Sequence, residues 1–126
     1  MLQKMDLPSI SHACDIFLAN QSVRYICIID KMGNLLYEKE QSGKNLLVSN
    51  KESRSLYIKS VLGILFEKDF DSQIGMLRYN VSHRIKVDLI TIPIYNFVIL
   101  ISMEPNQNSD VIAQSAIEIF EKLFKK

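Results

Sequence analysis

The sequence predicts an α/β (α+β) domain in three layers, α-β-α, around a central five-stranded, mainly antiparallel sheet, with element order α-β-β-α-β-β-β-α over residues 1–126. Three observations carry this reading. Two runs, Tyr25-Ile26-Cys27-Ile28-Ile29 and Phe97-Val98-Ile99-Leu100-Ile101, are β-forming and apolar without alternation, the mark of strands covered on both faces. Three other stretches repeat apolar residues at the spacing of a helix face. Short turn sequences separate the strand-like runs. Both faces of such a sheet need a cover, and three helices supply it with two on one side and one on the other.

The elements follow in order. Ile10, Ala13, Cys14, Phe17 and Leu18 trace one face of a helix from about Ser9 to Ala19, started by Pro8 and Ser9 and closed by Asn20-Gln21-Ser22. Arg24 to Asp30 is a strand, and Asp30-Lys31-Met32-Gly33-Asn34 is a turn in which Gly33 is free to take a positive φ. Leu35 to Glu40 returns as a half-exposed strand, and Gln41 to Asn45 is a loop. Leu46, Leu47 and Val48 lead into a second helix, where Ser49 and Glu52 have capping-box spacing. That helix extends to about Lys68 and is apolar around much of its circumference. Gly63 weakens it by about 1 kcal/mol relative to alanine, which implies close packing there. Asp69 to Gly75 is a loop. A meander of three strands follows, Met76 to Val81, Ile85 to Ile94 and Phe97 to Ser102, joined by turns at Ser82-His83-Arg84 and Tyr95-Asn96. Pro93 removes one ladder donor. Ser109 or Asp110 caps a final helix with Val111, Ile112, Ser115, Ile119 and Leu123 on one side and Ala116, Phe120 and Phe124 widening the stripe.

Composition narrows the function classes. The chain has 126 residues, with 15 Lys and Arg against 14 Asp and Glu, a formal charge of +1. A balance this near neutrality argues against a nucleic-acid partner. The longest uncharged run, Leu89 to Met103, is 15 residues; a membrane span needs about 20, so no membrane insertion is expected. Cys14 and Cys27 sit in apolar runs and read as core residues, and no apolar leader precedes Pro8. These features place the protein in the cytoplasm.

The opening Tyr25-Ile26-Cys27-Ile28-Ile29-Asp30, followed by Gly33-Asn34-Leu35-Leu36, is similar to the "apolar strand, Asp, short turn with Gly, second strand" opening of the roadblock family. The order of elements resembles that family along nearly the whole chain, and more loosely the longin and profilin-like folds; small archaeal roadblock-like proteins look the same. The resemblance implies a non-enzymatic, dimer-forming module that pairs sheets edge to edge or packs central helices, and that binds or regulates small GTPases or other proteins. The chain departs from the family in lacking a central helix rich in small residues.

The sequence holds little that points to catalysis. It contains no GxGxxG, GxxxxGK[ST] or GxSxG. His12 and His83, the only histidines, have no ligand neighbour at metal-binding spacing, so neither a metal nor a cofactor is indicated. His12 and Cys14 stand two apart on a helix and point away from each other, so structural packing is expected of His12 rather than a nucleophilic pair. Asp69 and Asp71 lack the glycine and closing glutamate of a calcium loop. Asp30 is expected to bond its own turn. Asp88, on an apolar strand, is expected to pair with Lys86, Arg78 or Arg84. Two surfaces remain as candidates. Arg78, His83, Arg84 and Lys86 form a basic hairpin patch for an anion or acidic partner, read against a charged edge that merely deters aggregation. On the second helix, Leu56, Tyr57, Leu62 and Phe66 exceed what one sheet face needs and form a partner-binding surface, in the first place for a homodimer. The rival is a PAS- or GAF-type sensory domain with a small molecule between sheet and helices, which requires an unfilled pocket of a few hundred Å³ or more.

Overall fold

The computed structural model describes residues 7–44 and 50–125. The expected Leu46–Val48 lead and the Ser49 cap lie outside the described residues. The elements are α1 (Leu7–Leu18), β1 (Val23–Asp30), β2 (Leu35–Glu40), α2 (Asn50–Glu67), a single 3₁₀ turn (Lys68–Phe70), α3 (Asp71–Ile74), β3 (Asn80–His83), β4 (Asp88–Ile94), β5 (Phe97–Met103) and α4 (Ser109–Phe124). The five strands form one sheet in the order β2-β1-β5-β4-β3, with every neighbouring pair antiparallel. The two non-alternating runs are interior strands, and β5 is buried along its whole length.

Alternate residues of each strand divide between two cores, because successive side chains point to opposite faces. On one face Ile26, Ile28, Ile90, Ile92, Ile99 and Ile101 meet α1 and α4 through Ile10, Phe17, Ala113, Ala116, Phe120 and Phe124. Phe17 stacks on Phe120 at 6.0 Å between ring centroids. On the other face Tyr25, Cys27, Ile29, Val98 and Leu100 meet α2 through Tyr57, Val61 and Ile64. Cys14 and Cys27 are both buried thiols, as expected, and burial pushes each up to about 12.

Local chemistry sets the turns. Asp30 accepts from the backbone N–H groups of Met32 and Asn34, each at 2.9 Å, so its carboxylate bonds its own turn as the sequence implies. Burial opposes its charge, but these donors hold its pKa below the ordinary value. Gly33 takes φ +82°, and a Cβ there would stand 2.8 Å from Ile58 Cγ1 and 3.1 Å from Ile58 Cα. The backbone of α2 rests directly on this turn. Close packing was expected at Gly63 instead; that residue is exposed with open space around its Cα.

Three other expectations shift. Residues 69–74, expected within a loop from Asp69 to Gly75, are helical: the 3₁₀ turn and α3 prolong α2 almost without interruption until Gly75 ends the run at φ +90°. Strand β3 runs Asn80–His83 rather than Met76 to Val81, so Ser82 and His83 lie in the strand and not in the turn, and β4 begins at Asp88 rather than at Ile85, where the alternation of Ile85, Val87 and Leu89 suggests. The Arg84 N–H donates to the Val87 carbonyl at 3.0 Å, which puts Ile85 at the hairpin tip, 96% exposed. Helix α4 is capped by Asn108, whose side chain accepts from the Val111 N–H, and its core side is Ala113, Ala116, Phe120 and Phe124 while Val111 faces solvent.

Candidate interaction surface

Helix α2 presents two apolar sides. Tyr57, Val61 and Ile64, spaced i, i+4, i+7, turn inward. Leu62, Leu65 and Phe66 turn outward, and Phe66 is 69% exposed. The apolar series continues past the end of α2: Leu62, Phe66, Phe70 and Ile74 follow at intervals of four along the nearly continuous helical path, and Met76 comes after it. Ile74 and Met76 are 80% and 81% exposed. Six large apolar side chains therefore lie open from α2 to the approach of β3. The edge of the sheet on that side is β3, only four residues long. A strand at an edge keeps one row of its main-chain groups unpaired.

Of the residues expected to bind a partner, Leu62 and Phe66 lie on this outer face. Leu56 and Tyr57 do not: Leu56 packs partly buried against the inner core, and Tyr57 is 6% exposed. The reason is a polar contact that hydropathy does not encode. The Tyr25 hydroxyl donates to Glu38 Oε1 at 2.9 Å and lies 2.7 Å from the Tyr57 hydroxyl. With its one proton committed to Glu38, Tyr25 accepts from Tyr57. Burial raises both phenol pKa values. Leu65, Phe70, Ile74 and Met76 belong to the surface although the sequence reading does not single them out. For Phe70 and Ile74 the signal is the four-residue interval running on from Leu62 and Phe66 through a segment that its charges make look like loop.

The basic hairpin residues do not converge on one recess. His83 ends β3, and Arg84 and Lys86 stand in the turn, all exposed. Arg78 lines a separate cleft near Lys68 and Tyr95. Asp88 pairs with none of the cations expected for it. It is 1% exposed and its Oδ2 lies 3.1 Å from Nδ1 of His83, its cross-strand partner. The ring nitrogen is near enough for an ion pair, but its N–H is not aimed along a hydrogen bond to that oxygen. His12 is exposed on α1 rather than packed in the core.

The opposite edge of the sheet is tied down. Lys39 of β2 donates to Asp15 Oδ1 at 2.6 Å and to Ser11 Oγ at 2.7 Å, and the Asp15 contact raises the Lys39 pKa. Gln41 Nε2 reaches the carbonyls of Leu18 and Val23 at 2.7 and 3.1 Å. Strand β2 alternates charges, Glu38-Lys39-Glu40, and so does not invite a further strand. Among the described residues no group of three or more His, Cys, Asp or Glu is placed to hold a metal ion. No helix among them is long and apolar enough to cross a membrane. Two buried cores pack between the sheet and its helices.

The solved structures of similar shape share the roadblock fold. A gliding protein MglB from Thermus thermophilus aligns at 14% identity and TM-score 0.71 over 92% of this chain and 88% of that one. An MglB with a tetrameric arrangement aligns at 12% identity and TM-score 0.62, covering 92% and 93%. A Roadblock/LC7 domain from Streptomyces avermitilis aligns at 6% identity and TM-score 0.62, covering 80% and 82%. The fold is thus the Roadblock/LC7 α+β fold, with the order α-β-β-α-β-β-β-α. No curated protein matches the chain in sequence. Residues 3–126 match DUF6659, described as a family of unknown function, and the chain belongs to that family.

Proposed function

We propose that this chain acts as one non-catalytic interaction module. It pairs with a second copy through the outer face of α2 and the β3 edge, and the dimer binds and regulates another protein, with a small GTPase as the partner class. The carrying observation is the open apolar series from Leu62 to Met76. Each such side chain gains about 1.5–3 kcal/mol when fully covered, and a contiguous apolar surface of this kind on a soluble domain marks a contact site. Edge pairing at β3 would add main-chain hydrogen bonds to the same contact. The roadblock fold shared with the structures above supports the GTPase as partner. The exposed cations Arg84 and Lys86, with the His83 ring beside them, suit acidic groups on such a partner.

Light scattering coupled to size exclusion tests the pairing. The wild-type protein is expected at twice the 14.5 kDa chain mass, and Leu62→Glu with Phe66→Glu at one chain mass with an unchanged circular-dichroism spectrum. A wild-type protein that stays at one chain mass at about 0.1 mM, a concentration that would populate even a weak dimer, overturns the reading.

A further inference from the structure

We propose that the cleft between the α2–α3 run, the β4–β5 turn and α4 binds a small zwitterion with an apolar body, of amino-acid type. The cleft measures about 390 Å³, within the usual size of small-molecule sites. Ile64, Leu77, Ile94 and Ile117 supply an apolar lining. Four charged side chains also line it: Lys68 and Arg78, Asp71 and Glu121. None of the four makes a side-chain hydrogen bond or an ion pair among the described residues. Asp71 Oδ1 is shielded from solvent and has no donor. Leaving a carboxylate oxygen in that condition is costly unless something else supplies the hydrogen bond.

Two cations and two carboxylates around one apolar recess, unpaired with each other, fit a molecule that carries both signs of charge. Arg78 and Lys68 take its carboxylate, Asp71 and Glu121 its ammonium, and the apolar lining its side chain. Lys68, Arg78 and Glu121 are exposed and Asp71 is half-buried; a ligand with one charge would cover the opposite pair without bonding it, which binding sites penalise.

Tyr95 adds an independent observation. It lines the same cleft in a left-handed conformation at φ 54°, which a bulky side chain avoids and glycine adopts freely. A tight turn does not need tyrosine there. Strained residues of this kind gather where the side chain serves a site, and here the ring walls the cleft.

The test uses the full chain with L-leucine and L-phenylalanine as probes, read by calorimetric titration and thermal shift, beside N-acetyl-leucine and leucinamide, which each lack one charge. At least one amino acid is expected to bind and raise the melting temperature. Both one-charge analogues should bind about tenfold or more weakly. Arg78→Ala and Glu121→Ala should each cost a similar factor with the melting temperature of the free protein kept. Tyr95→Gly should weaken binding without lowering that temperature, since it relieves strain. No binding by either amino acid at about 10 mM, equal binding of the one-charge analogues, or wild-type affinity in both charge variants overturns the proposal. Met76 lines this cleft and also belongs to the proposed dimer surface, so the dimer mass is read separately, without ligand, and the ligand titration is read at fixed protein concentration.

Discussion

The two faces of the sheet are covered in different ways. On the first, α1 and α4 lie together over β1 and β4 and close a core that runs from Ile10 to Phe124. On the second, α2 is the one helix among the described residues that covers Tyr25, Cys27, Ile29, Val98 and Leu100, and its far side is also apolar. Two helices satisfy the first face within the chain. One helix satisfies the second but leaves its own outer surface uncovered, and that surplus is what a partner would bury. Stability should therefore be concentrated on the first face and association on the second.

The largest expected effect tests the first half of that contrast. Phe120 is fully buried between Phe17 and Phe124. Phe120→Ala should lower unfolding free energy by about 3–5 kcal/mol, measured by urea denaturation, without changing oligomeric mass once the protein is folded. A loss no greater than that of a surface substitution would erase the distinction between the faces.

Two glycines probe the second face. Gly33→Ala should cost about 1–3 kcal/mol, from the positive φ and the clash with Ile58. Gly63→Ala meets open space in one copy and should raise helix stability by about 1 kcal/mol. If α2 packs against α2 of a second copy, the added methyl should also shift the dimer dissociation constant. A stabilised variant with unchanged dimer affinity would place the contact elsewhere on α2.

The smallest effect concerns the end of the sheet near Arg24. The hydrogen bond from Arg24 at 2.7 Å and the contact with Lys44 at 3.2 Å hold the Glu104 carboxyl below its ordinary 4.5. A depressed folded-state pKa stabilises the fold above the unfolded value, and the contribution is lost as pH falls through the folded value. Glu104→Gln should thus reduce stability slightly at neutral pH and flatten its decline below about pH 4.5. Because Glu104 is partly exposed, solvent keeps the effect under about 1 kcal/mol.

The layers, the two interior apolar strands and the Asp30 turn were legible because each rests on local pattern: unbroken apolar runs, helical spacing, an Asp four residues before Asn34. The interaction surface was half legible. Leu62 and Phe66 stood out as surplus, but Tyr57 looked like them until its hydroxyl met Tyr25, a residue 32 positions away. Phe70 and Ile74 were hidden because Lys68, Asp69 and Asp71 made their segment look like loop. The basic patch divided because Arg78 precedes β3 while Arg84 and Lys86 sit in the turn beyond it, so the hairpin carries them apart.

The amino-acid sequence by itself determines that this chain folds as a sheet covered on both sides, because apolar side chains on successive residues of one strand cannot all avoid water otherwise. Which side of α2 faces inward, where the third strand begins and which charges find no partner were decided by the tertiary structure. Those outcomes turn on contacts between residues far apart in the chain, whose energies no local pattern contains.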